Sequence, residues 1–271
     1  MGCYQFWRHF KVQGLTAGLG ALLVASIPVV FEHGTIGYAN LPFTTYLILG
    51  CFMTIKGVSD QEPGVQVVGG ILFGLACWTR PEGLFLAPIL VIALFLGFRL
   101  SYPRYTRLSF WLPPIILMGG TWLIFLSLYS GTSTLSLGMQ RSLDAMLLGQ
   151  FPWGVIPRIL RAFIRHALTS GIWGALFPAS VILSVANIKK LAPNRYPAIF
   201  SLTAPLIASG ISMGLFFVIV SFVGELNMWI ETGMDRMFLP FGLLLAAWMI
   251  LVVGFPKLGD AKQRQFTKAP P

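Results

Sequence analysis

The sequence predicts an all-α fold, a polytopic transmembrane bundle of about eight helices. Composition carries the first part of that prediction. Hydrophobic residues fill 56% of the 271 positions and charged residues only 10%, with a mean hydropathy of +0.77. A soluble domain carries about 25% charged residues, so too little polar side chain is present here to coat a water-facing surface. The spacing carries the second part: the apolar positions gather into repeated runs of roughly 16–23 residues, each near the length that crosses a bilayer. Lipid offers backbone groups no hydrogen bonds, so uninterrupted apolar runs at that depth are helices.

The first run, about residues 14–31, follows Arg8, His9 and Lys11. That order resembles the charged and apolar regions of a signal peptide, but the run is long and has no A-x-A-type cleavage site, which predicts a retained helix. Further runs lie near residues 39–55, 65–79, 83–98, 108–130, 168–186, 198–223 and 237–255. Residues 256–271 are then a tail, and no low-complexity tract or internal repeat divides the chain, so 1–271 reads as a single transmembrane domain. Gly14 with Gly18, and Gly70 with Gly74, have the four-residue spacing that lets helices approach closely. Trp78, Trp111, Trp153, Trp173 and Trp229 fall near expected helix ends, where an aromatic belt forms at the interface.

The distribution of Lys and Arg sets the expected orientation. With both termini inside, the outer segments hold six of the 19 basic residues (Arg80, Arg141, Arg158, Arg161, Arg165 and Arg236) and the inner segments the other 13. Acidic residues divide the opposite way: Asp60, Glu62 and Asp260 fall inside, the remaining six outside. A net charge of +10 raises the question of nucleic acid. The basic residues are spread among loops as topology requires, rather than gathered on a soluble patch, so no nucleic-acid partner is expected. Cys3, Cys51 and Cys77 show no C-x-x-C spacing and predict neither a disulfide framework nor a zinc site.

Four outer pieces are candidates for a site. Residues 32–42 form a polar stretch entering a helix, with Asn40 placed to cap it and Pro42 in its first turn; a site role for Glu32 or Asn40 is the alternative. The turn Arg80-Pro81-Glu82-Gly83 joins two apolar runs. Pro81 biases Arg80 away from α geometry and suits the first turn of the next helix, where Glu82 complements the helix dipole. Its guanidinium either pairs with Glu82 or holds a phosphate through paired N–H donors. Residues 131–167 form the longest outer connection. Within it PRILRAFIRHAL sets Arg158, Arg161 and Arg165 along one helical face and mostly apolar residues on the other, which predicts an amphipathic interfacial helix. The last piece, residues 224–240, carries three carboxylates and places Arg236 directly before the final helix.

Histidines 9, 33 and 166 are isolated, and no H-E-x-x-H, G-x-S-x-G or Walker loop occurs. No metal ligands are nominated, and a divalent metal has no support in the residue pattern. Charges in the middle of apolar runs, which mark ion pathways, are missing as well, and this weighs against a transporter.

Three of the outer motifs resemble those of integral-membrane GT-C-type glycosyltransferases of the protein-mannosyltransferase and aminoarabinose-transferase group. Tyr38-Ala39-Asn40-Leu41-Pro42 is similar to that group's Y-A-D-x-P at the head of a helix. The run Gly74-Leu75-Ala76-Cys77-Trp78-Thr79-Arg80-Pro81-Glu82-Gly83 is similar to its G-L-A-x-x-T-[RK]-P-E-G hairpin. Arg236-Met237-Phe238-Leu239-Pro240 resembles the R-Y-x-L-P that opens a late helix. The three occur in the family's order, and the resemblance covers about residues 15–253.

The resemblance implies transfer of a sugar from a polyprenyl-phosphate donor to an acceptor at the outer face of the membrane, expected to be the plasma membrane. Arg80, Arg236, Arg158, Arg161 and Arg165 are the cations it implies for the lipid phosphate; Glu32, Asn40 and Glu82 are the positions it implies for catalysis. Asn40 departs from the family, which has an aspartate there, and an amide takes no proton. The family's first helix and acidic luminal loop are also not found before Gly14. The expectation is therefore an enzyme truncated at its start or a fragment of one, an enzyme completed by a partner chain supplying that loop, or an inactive relative. A non-catalytic subunit of a glycan-assembly complex is the alternative function, and a transporter or flippase the third.

Overall fold

The computed structural model describes residues 2–35, 39–80, 82–101, 110–129, 141–142, 144–145, 147–150, 152–169, 173, 175–187, 197–222 and 226–254. The main helices are α1 (Gly2–His9), α2 (Gly14–Ser26), α3 (Pro28–Thr35), α4 (Asn40–Ser59), α5 (Pro63–Thr79), α6 (Gly83–Ser101) and α7 (Leu112–Tyr129). They continue with α8 (Ile156–Leu168), α9 (Leu176–Ala186), α10 (Pro197–Val220) and α11 (Leu226–Gly254). Among the described residues there is no strand. The fold is an all-α bundle, as the apolar runs require.

Among the described residues each expected run holds a helix, although in the run 168–186 the apolar helix is Leu176–Ala186 and Leu168 closes α8 instead. Four helices, α4, α6, α10 and α11, are long and apolar enough to cross a membrane, while α2, α5, α7 and α9 are apolar but shorter. Large apolar side chains point out of the bundle on several of them: Leu19 and Leu22 on α2, Ile92 and Leu96 on α6, Ile207 and Ile211 on α10. A contiguous apolar exterior is costly in water and suited to lipid, so the surface is that of a membrane protein.

Contacts fix which helix ends lie together. The α4–α5 turn, at Asp60, marks one end of the bundle, and the α5–α6 turn, at Glu82, marks the other. Gly97, late in α6, lies against Ser201 and Ala204 at the start of α10. Gly254, closing α11, lies against Val12 and Thr16. His9 Nε2 is 3.2 Å from Asp60 Oδ1, and Trp7 Nε1 donates to the Ala247 carbonyl at 3.1 Å. The starts of α2 and α10 and the close of α11 therefore share the Asp60 end. Asn40, Val220 and Leu226 lie toward the Glu82 end. Helix α7 runs parallel to α5, with Gly70 against Trp111, Gly74 against Met118 and Trp78 Nε1 donating to the Met118 carbonyl at 2.7 Å.

The structure departs from the sequence expectations in identifiable places. The first run breaks into α2 and α3 at Ile27, because Pro28 cannot continue the ladder and starts a new helix instead. Gly70 and Gly74 do form the close packing face, but nothing lies within 4 Å of a Cβ on Gly18. Trp111 and Trp173 are 0% and 1% exposed, so they belong to the core and not to an interfacial belt. The final helix starts at Leu226, well before residue 237, and Arg236 lies inside it. At 1.5 Å per residue its 29 residues exceed the roughly 30 Å hydrocarbon thickness, so the charged N-terminal turns continue past the apolar layer. The tail 256–271 lies outside the described residues.

Candidate functional site

The eight side chains nominated from the sequence fall toward one end of the bundle but not into one constellation. Arg80 and Glu82 close on each other. Arg80 Nε donates to Glu82 Oε2 at 3.0 Å and its Nη2 to Oε1 at 2.6 Å, a bidentate pair with side chains 20% and 15% exposed. The local chain explains the geometry. Helix α5 ends at Thr79, Arg80 is extended (φ −151°, ψ 143°), and the Glu82 carbonyl accepts from Phe85 and Leu86 N–H to start α6. Glu82 is thus one residue ahead of the helix expected to contain it, because Gly83 is the first helical position; Pro81 lies outside the described residues. A Cβ on Gly83 would sit 2.4 Å from the Ala76 carbonyl oxygen, so only glycine lets the two helices meet this closely.

Glu32 is an exposed residue of α3, and Asn40 is 3% exposed at the head of α4. Asn40 does not cap: the cap position is Ala39, without a side-chain cap bond, and Asn40 is the first helical residue. Its amide is buried at the first position of α4.

Among the described residues, the arginines of α8 gather around a cavity. A trough of about 730 Å³ runs between α8 and the charged N-terminal part of α11. Arg158, Arg161 and Arg165 line it from α8; Asn227, Glu231 and Asp235 line it from α11. The spacing builds both walls, since residues three and four apart share a helical face. Helix α8 has three faces where two were expected. Ile159 packs into the bundle, Phe163 meets Phe238 with ring centroids 4.4 Å apart, and Leu160, Ile164 and Leu168 are more than half exposed on an apolar stripe. The arginines occupy the third face. Arg236 follows Asp235 on α11 and does not line the trough.

The trough also holds a pair that sequence reasoning missed. His166 Nε2 lies 2.5 Å from Asp235 Oδ1. Both atoms are buried, and among the described residues neither has a hydrogen-bond partner. The His166 ring rests 4.9 Å from that of Phe238, which holds it against α11. A signal was present: on a helix, position 166 falls nearer Ile159 and Phe163 than the arginines, and so faces the bundle. Its partner, Asp235, belongs to another helix 69 residues further along the chain, outside any local motif. Among the described residues no group of three or more His, Cys, Asp or Glu side chains is placed to hold a metal.

Chemically, the trough offers a cationic wall, a carboxylate in contact with an imidazole, and an exposed apolar stripe alongside. No family model, curated protein or solved structure matches the chain.

Proposed function

We propose that the protein is a membrane glycosyltransferase that takes a sugar from a polyprenyl-phosphate donor on the non-cytoplasmic face of the plasma membrane. The observation that carries this reading is the α8–α11 trough, in which three arginines stand next to an exposed apolar stripe. That combination suits an amphiphile with a phosphate head and a hydrocarbon tail. Guanidinium groups meet phosphate oxygens through paired N–H donors and stabilise charge that develops there.

In the transfer, an acceptor hydroxyl oxygen attacks the anomeric carbon while the bond from that carbon to the phosphate oxygen breaks. Electrons of the broken bond leave on polyprenyl phosphate, against Arg158, Arg161 and Arg165. The hydroxyl proton passes to Asp235, whose other partner, His166, keeps it oriented; a general base must lie within hydrogen-bond reach of the proton it takes. Arg80 has a different role from the one its motif implies. Its guanidinium is spent on Glu82, which supports a structural clamp.

A second reading rests on Asn40 and on this closed Arg80–Glu82 pair: a non-catalytic relative acting in a glycan-assembly complex. Purified protein in nanodiscs, given polyprenyl-phosphate mannose or polyprenyl-phosphate aminoarabinose with a hydroxylated acceptor, separates the two. Release of polyprenyl phosphate that falls at least about tenfold in Arg161→Gln and Asp235→Asn supports transfer. No release from either donor by the folded wild-type protein, with a stable partner co-purifying, supports the second.

A further inference from the structure

The walls of the α8–α11 trough carry opposite charges that do not pair across it. Among the described residues, Arg158, Arg161 and Arg165 make no ion pair within 4.0 Å, and neither does Glu231 on the facing wall. Asp235 is engaged by His166, so Glu231 is the available carboxylate. All four side chains are exposed to the cavity they line. A head bearing only a phosphate satisfies the arginines and leaves Glu231 without a counter-charge. A head bearing both a phosphate and a hydrogen-bonding cation satisfies both walls.

We propose that the trough binds a bilayer aminophospholipid, with its phosphate against the arginines of α8 and its primary ammonium against Glu231. The volume, about 730 Å³, is within the range of small-molecule sites, roughly 300–1,000 Å³. Leu160, Ile164 and Leu168, exposed by 56%, 51% and 63%, run along α8 beside the arginines and supply the surface for acyl chains. A primary ammonium donates three hydrogen bonds, whereas a quaternary choline nitrogen has no N–H to donate to a carboxylate. Phosphatidylethanolamine is therefore preferred over phosphatidylcholine, which lacks the donors, and over phosphatidylglycerol, which lacks the cation. This site stands independently of sugar transfer, since a resident phospholipid occupies it when no donor is bound.

The test is native mass spectrometry of the purified full chain in detergent, titrated with dioleoyl phosphatidylethanolamine, phosphatidylcholine and phosphatidylglycerol. Phosphatidylethanolamine is expected to bind at least about tenfold more tightly than either of the others. Glu231→Gln is expected to remove that preference, and Arg161→Gln to weaken all three lipids. Water-soluble glycerophosphoethanolamine is expected not to bind where the diacyl lipid saturates, because it has no tails for the α8 stripe. Equal binding of the three lipids, tighter phosphatidylglycerol, or an unchanged preference in Glu231→Gln overturns the site. Binding of the soluble head as tight as that of the lipid overturns its assignment to the membrane. If Arg161→Gln does not fold, the surface variant Glu231→Gln decides alone. Lipid discrimination without release of polyprenyl phosphate removes the transferase reading and keeps this site; release without discrimination does the reverse.

Discussion

The Arg80–Glu82 pair shows how much burial changes the meaning of a charged turn. An exposed ion pair contributes about 0–1 kcal/mol. Here both side chains are largely shielded and the pair is bidentate, so losing one partner strands the other. Glu82→Gln should destabilise the protein by about 1–3 kcal/mol. Arg80→Ala with Glu82→Ala together should cost less than the sum of the single changes, because neither charge is then left alone. Thermal unfolding in detergent measures both; additive losses would show that the two do not act as a pair. The same residues show what was legible in sequence. Their types and Pro81 marked a tight helical hairpin correctly. The choice between pairing and phosphate binding depended on how deeply the turn is buried, which local sequence does not encode.

Helices met each other through positions where no side chain intervenes, and this makes paired predictions possible. Gly83→Ala forces a Cβ to 2.4 Å from the Ala76 oxygen and should destabilise the α5–α6 hairpin by about 1–3 kcal/mol. Gly18→Ala in α2 meets nothing within 4 Å and should be neutral or stabilising by up to about 1 kcal/mol. Comparable losses at the two positions would contradict the packing described. Trp173 packs between Phe177 and Phe238 and fills the space above Gly242. Trp173→Ala should therefore cost about 3–5 kcal/mol, and a change under 1 kcal/mol would place the ring outside the core. Apolar periodicity located the long helices, since lipid and core both select apolar residues, but not α1, whose eight residues carry no long apolar run. It could not separate lipid-facing from core-facing tryptophans for the same reason: Trp78 and Trp173 carry equal hydrophobicity, and one is 45% exposed while the other is 1% exposed. The early start of α11 was hidden likewise, because a helix that leaves the apolar layer looks polar in sequence.

Across the whole molecule, alternation of helix direction gathers the outer candidates toward one end and the cluster of His9, Lys56, Asp60 and Glu62 at the other. The arginine face of α8 was visible from its spacing; its carboxylate wall was not, because Glu231 and Asp235 belong to another helix. Bringing the two walls together requires the long connection after α7 to fold α8 back onto α11, a tertiary outcome that no periodicity predicts. The most direct measurement is labelling of single cysteines by a membrane-impermeant thiol reagent in sealed vesicles, with Cys3, Cys51 and Cys77 replaced by Ala. Glu32→Cys and Thr232→Cys, both at exposed positions, should react from one side of the membrane and Glu62→Cys only from the other. Labelling of positions 32 and 62 from the same side, or of 32 and 232 from opposite sides, would contradict the shared end on which the trough and its proposed chemistry depend.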